Sequence, residues 1–140
     1  MSNKSVRVFA PASIGNVSCG FDVLGMAVKA PGAEVFIALN DSYNVTIKSI
    51  VGGDGRIPVE PRENTASVAV IEYLKSINSN QGAEITLYKN LPLGSGMGSS
   101  AASAVAAVVA INYLMDEPLK REQLLPFVME AERVACGAAH

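Results

Sequence analysis

Leu91-Pro92-Leu93-Gly94-Ser95-Gly96-Met97-Gly98-Ser99-Ser100-Ala101-Ala102 is the stretch on which the reading of this 140-residue chain turns. Three glycines at alternate positions let the backbone turn and approach a ligand closely, because no Cβ stands in the way. Consecutive amide N–H groups can then converge on one point and form a concavity for an anion. If a helix starts at the serines, its unpaired N–H groups and its dipole add to the same positive focus. The guest this chemistry suits is a phosphate. A P-loop is excluded, since no lysine lies between Lys89 and Lys120. The dinucleotide fingerprint fails as well, because its third glycine would fall on Ser99. What remains is a flexible turn that happens to precede a helix, and the neighbouring elements decide against it.

Upstream, Ala83–Lys89 alternates Ile85 and Leu87 with Glu84, Thr86 and Tyr88, the period of a half-buried strand. Downstream, Ser99–Met115 reads as a helix. Its apolar run from Ala101 carries Ser103 and Asn112 and is about 15 residues long, short of a membrane span. A strand before and a helix after is the context a phosphate site requires.

Working outward, Val6–Ala10 alternates as a strand that Pro11 is expected to close. Residues 12–22 are rich in small side chains and include Asn16 and Asp22. Such a long, nearly uncharged connection either lines something or is a plain pair of β-turns. Val23–Lys29 reads as a strand, Pro31-Gly32 as a turn and Ala33–Leu39 as the returning strand of a hairpin. Tyr43–Val51 alternates again, with Val45 and Ile47 inward. The Gly52-Gly53-Asp54-Gly55 turn lacks calcium-loop spacing. Asn64 or Thr65 can cap a helix over 65–77, with Val68, Ile71, Leu74 and Ile77 as its buried stripe, and Asn78–Gly82 stops it.

The last segment is expected to begin near Pro118, a favoured first-turn residue. A mid-helix proline costs ~3 kcal/mol, so Pro126 kinks or restarts the helix. Beyond it, Glu130 has Arg133 at i+3, an ordinary ion pair. Glu132 instead falls among Val128, Met129, Ala135 and Cys136. A carboxylate turned inward must find donors or a cation. Mg2+ would satisfy it, and so would hydrogen bonds to backbone.

Composition bounds the rest. Hydrophobic residues make up 49% and charged ones 17%, which argues for one well-buried globular domain. A net charge of −2 gives no basic field for nucleic acid or an anionic membrane. Cys19 and Cys136 match no metal or redox spacing and read as buried thiols in a reducing cytoplasm. The N-terminus has no signal-peptide apolar region. The chain stops at Gly137-Ala138-Ala139-His140 without a helix stop beyond Gly137, so it is expected to be a cut chain rather than a completed one.

Two stretches together resemble a family. Leu91–Ala102 resembles the nucleotide-binding motif of the GHMP kinases, Leu-Pro-x-Gly-x-Gly-Leu/Met-Gly-Ser-Ser-Ala-Ala, at every position. Pro11-Ala12-Ser13-Ile14-Gly15-Asn16-Val17-Ser18-Cys19-Gly20-Phe21-Asp22 resembles that superfamily's first motif in its homoserine kinase form, where Pro-Ala, Asn and Gly-Phe-Asp recur at this spacing. The Ile14-Gly15 and Ser18-Cys19 pairs depart mildly from it. Glu130–His140 is similar to a glutamate-bearing helix that runs into His-x-x-Asn. Members are about twice this length, so residues 1–140 would be an N-terminal, ATP-binding half.

The resemblance implies an α+β fold of the ribosomal protein S5 domain 2-like kind. It implies a loop of Pro92, Leu93, Gly94, Ser95, Gly96, Met97, Gly98, Ser99, Ser100, Ala101 and Ala102 around the phosphates of ATP. Ser100 and Glu132 would hold Mg2+, while Asn16, Asp22 and His140 would face L-homoserine, with Asp22 on its ammonium. Asn64 would approach the nucleotide, although capping explains it equally. The implied reaction makes O-phosphohomoserine, on the way to threonine, in a cytoplasmic homodimer. With half the substrate pocket missing, this chain alone is expected to be inactive. A different small-molecule GHMP kinase, or a non-catalytic nucleotide-binding fragment, is the alternative.

Overall fold

The computed structural model describes residues 4–15, 25–52, 57–89, 99–116 and 118–136, and their side chains except those of 12–15, 25–31, 99–100 and 135–136. Four strands form one sheet: β1 (Ser5–Gly15), β2 (Gly25–Asn40), β3 (Val45–Gly52) and β4 (Gly82–Lys89). Their order is β1-β2-β4-β3. The β1–β2 and β2–β4 pairs are antiparallel, and β3 runs parallel to β4. Helix α1 (Thr65–Ser76) is the crossover that a parallel pair requires. Helices α2 (Ser99–Leu114) and α3 (Leu125–Cys136) complete an α+β domain, as the sequence led us to expect.

Two expectations near the first motif are corrected. Pro11 does not close β1, and Pro31-Gly32 is not a hairpin turn: both lie inside long paired strands. The register moves from Pro11↔Gly32 to Ser13↔Ala27, so one residue of β1 faces four of β2 across an irregularity. A proline cannot donate to a ladder, and β1 is an edge strand, where that loss is tolerated. The two prolines therefore mark a bulge. Gly32 is needed there for space, since a Cβ would run into the Phe9 ring and stand 2.6 Å from the Ala10 carbonyl oxygen. Gly32→Ala is expected to lower stability by about 2 kcal/mol through overpacking, read as a drop in the urea midpoint at unchanged slope. An unchanged midpoint would show that Phe9 swings away freely.

β3 begins at Val45, because Tyr43 takes φ 62 in the preceding turn. Its alternation holds to Ile47, then slips by one at Lys48, so that Ile50 faces inward next.

Helix α1 starts where Asn64 caps it and ends as a Schellman motif with asparagine, φ 56, in the glycine position. There Asn78 N–H donates to the Lys75 carbonyl and Ser79 N–H to that of Leu74. The expected stripe is only half right. Val68 and Leu74 are buried, Ile71 and Ile77 are half-buried, and the deepest apolar side chains are Ala66, Ala69, Val70 and Tyr73. Packed against both α2 and α3, α1 buries more than one stripe. In the core Val35 and Ile37 of β2 and Ile85 and Leu87 of β4 meet Val70 and Tyr73 of α1 and Val108 and Ile111 of α2.

The last segment begins later than Pro118. A 3-10 turn, Arg121–Leu124, leads into α3, and Pro126 sits in the first turn of that helix. The missing N–H is one the helix would leave unpaired there anyway, so Pro126 restarts the helix without kinking it.

Candidate functional site

The topology brings the described ends of the candidate segments to one end of the sheet. Lys89, the last residue of β4, pairs with Ala33 of β2 and with Gly52, the last residue of β3. Beyond Ala33 the β1–β2 ladder continues to Gly15↔Gly25, so both strands end on this side. The crossover brings the N-terminus of α1, with Asn64, back to this end, since β3 and β4 are parallel. Helix α2 opens here as well, with Ser99, ten residues after Lys89.

Of the nucleotide-loop residues, Pro92, Leu93, Gly94, Ser95, Gly96, Met97 and Gly98 lie outside the described residues. Asn16, Asp22 and His140 do too. Ser99 and Ser100 form the first turn of α2, as the phosphate reading requires, followed by half-buried Ala101 and buried Ala102.

Asn64 is 2% exposed, and both ends of its amide are engaged. Its Oδ1 accepts from Ala66 N–H at 3.0 Å, and its Nδ2 donates to the Pro58 carbonyl at 2.8 Å. Helix capping therefore accounts for its side chain.

Glu132 is buried, 6% exposed, on the α3 face that also buries Val128 and Ala131. Its inward reading holds. Met129, expected on the same face, is exposed. Glu130 pairs with Arg133 through two hydrogen bonds, and that bonding holds its carboxyl below the ordinary range. The two neighbouring glutamates thus divide into a surface ion pair and an interior carboxylate. Among the described residues no three His, Cys, Asp or Glu side chains cluster as a metal cage. An ion held by one carboxylate and a hydroxyl, with phosphates and water filling its other positions, is the pattern Mg2+ favours. The oxygen donors of Glu132 and Ser100 fit it by chemical type.

One pair was missed in the sequence. Lys89 is buried at 8% exposure and donates from Nζ to Oγ of Ser103, itself 1% exposed, at 2.6 Å. The available signal was the strand's own period, which puts residue 89 on the inward face with Ala83, Ile85 and Leu87.

A family model described as GHMP kinases N terminal domain matches residues 64–140, more than half of the chain. The chain belongs to the GHMP kinases. Within them it is 50% identical, over 147 aligned positions covering 98% of it, to the homoserine kinase of Chloroherpeton thalassium. The crystal structure of homoserine kinase from Cytophaga hutchinsonii superposes on 97% of the chain with a TM-score of 0.94 and 54% identity. Mevalonate kinase from methicillin-resistant Staphylococcus aureus superposes with a TM-score of 0.69 at 25% identity, again over 97%. The chain spans just under half the length of these proteins: 46%, 43% and 47% respectively.

Proposed function

We propose that this chain is the ATP-binding half of a homoserine kinase. The observation that carries the reading is its likeness to homoserine kinases at 50–54% identity over nearly its whole length, in agreement with the first motif at 11–22. The loop amides of 92–102 and the N-terminus of α2 bind the phosphates, doing by backbone dipoles what a P-loop does partly with lysine. Asn16, Asp22 and His140 face the amino acid, and Asp22 pairs with its ammonium. Ser100 and Glu132 would hold Mg2+, which would supply positive charge to neutralise the phosphates. Asn64 serves the site indirectly, by fixing the start of α1.

Phosphoryl transfer asks mainly for positioning and charge neutralisation. The side-chain hydroxyl oxygen of homoserine bonds to the γ-phosphorus, and the bond from that phosphorus to the β,γ-bridging oxygen breaks. ADP leaves and the hydroxyl proton passes to solvent, giving O-phosphohomoserine. Mg2+ as the ion, a homodimer as the assembly and the cytoplasm as the location belong to the same reading. No helix among the described residues is long and apolar enough to cross a membrane.

The test is a substrate panel. The intact protein that contains these 140 residues is assayed for ADP release with homoserine, mevalonate and galactose. A preference for homoserine of at least about a hundredfold in kcat/KM is expected, the discrimination available to a site whose polar groups pair only with the right substrate. ATP binding with no such preference would discard homoserine as the acceptor. Glu132→Gln in the same protein is expected to lower Mg2+-dependent turnover by about 10²–10³, the usual loss for a group that stabilises transferring charge.

A further inference from the structure

Two described residues that flank the nucleotide motif in sequence touch each other. Lys89 closes β4 and Ser103 lies in the second turn of α2. The 2.6 Å bond between them spans fourteen positions in sequence, a stretch that includes all of Gly94–Ser100. Both side chains are almost fully buried. An inward strand position would take leucine or methionine cheaply, whereas an ammonium pays heavily for leaving water. Packing alone gives no reason for lysine there.

We propose that Lys89 is a positioning residue for the nucleotide loop. Its ammonium, bonded to Ser103, ties the strand before the loop to the helix after it. It also fixes a positive charge between the two stems. The proposal rests on reading residues 92–102 as the phosphate-binding loop. It deepens that reading by assigning the cation that the motif itself lacks to the strand beneath it. A tether of this kind holds the loop amides ready before ligand arrives, so that less ordering is lost on binding.

Hydrogen exchange of the intact protein that contains these 140 residues tests the tether, using wild type, Lys89→Met, Ser103→Ala and the double variant. Methionine preserves the length and fills the space, and alanine removes one oxygen, so at least one variant folds. Amides of residues 90–98 are expected to exchange about tenfold faster or more in each single variant, as for loss of a buried hydrogen bond to a charged group. The double variant should fall short of the two single effects added together, because the Lys89–Ser103 bond is common to both. Amides of β1 and α1 should be unchanged.

Unchanged loop exchange in the variants, or loop amides already unprotected in wild type, would overturn the proposal. So would acceleration spread evenly over the fold, which would make the pair a stability element only. MgATP titration of the same samples separates this inference from the reading beneath it. Weaker binding in Lys89→Met beside a faster loop is expected, and unchanged affinity would overturn the positioning role. If wild type binds no MgATP, the nucleotide reading fails for this chain, while the exchange data still decide the tether.

Discussion

Replacing Asn112 by leucine is expected to destabilise the fold by about 3–4 kcal/mol, the sum expected for several polar groups left without partners. Asn112 is 7% exposed in α2 and makes three hydrogen bonds. Its Oδ1 accepts from the Tyr73 hydroxyl at 2.7 Å and from Leu119 N–H at 3.3 Å, and its Nδ2 donates to the Leu119 carbonyl at 3.0 Å. One amide thus joins α1, α2 and the connection that leads into α3. Leucine is nearly the same size, so no large cavity accompanies the change and the cost is in unpaired groups. A domain of this size has about 5–15 kcal/mol in total, so much of it would be lost. Urea titration followed by circular dichroism measures the loss. A change below about 1 kcal/mol would mean that water reaches all three partners.

That amide also marks how far the sequence was legible. Ser103 and Asn112 could be recognised as the polar interruptions of an apolar helix, but their partners could not. Tyr73 lies 39 positions before Asn112 and Lys89 lies 14 before Ser103. Only the fold brings such pairs together. Local signals did better. The cap at Asn64, the stop at Asn78, the strand of 83–89 and the helix from Ser99 all depend on residues within a turn or two of one another. The inward turn of Glu132 followed from its i±3 and i±4 neighbours in the same way.

Where the sequence misled, a local rule was overridden by a partner strand. Pro11 and Pro31-Gly32 carry strong turn chemistry, yet the pairing of β1 with β2 absorbs them into one bulge. Pro11 costs little because β1 is an edge, and Pro31 falls among the four residues of β2 left over where the register slips. The stripe of α1 was misjudged for a related reason. A period-3.6 pattern finds the side facing one neighbour, whereas α1 has two helices against it. Small residues such as Ala66 and Ala69, which a search for large apolar side chains passes over, mark the closest approach. The motif that names the family needed no such context, because it is an unbroken run of backbone-determining residues.

Among the described residues, the same tyrosine carries the one large shift in ionisation. Burial pushes the Tyr73 hydroxyl up from 10.0 to about 12. The folded state therefore favours the protonated phenol, and its contribution is complete below pH 10. Between pH 10 and about 12 the unfolded chain ionises this group while the folded chain does not, so stability falls as pH rises. Each unit of difference is worth about 1.4 kcal/mol, so about 2–3 kcal/mol is expected to disappear over that window. Tyr73→Phe keeps the edge-on contact with Phe127 but has no proton to lose. It should be about 1 kcal/mol less stable than wild type at pH 8, for the lost bond to Asn112. By pH 12 the variant should have become the more stable of the two. The two proteins differ only in this hydroxyl, so the difference between the curves isolates Tyr73. Curves that stay parallel from pH 8 to pH 12 would show that the phenol reaches solvent and that the bond to Asn112 does not seal it.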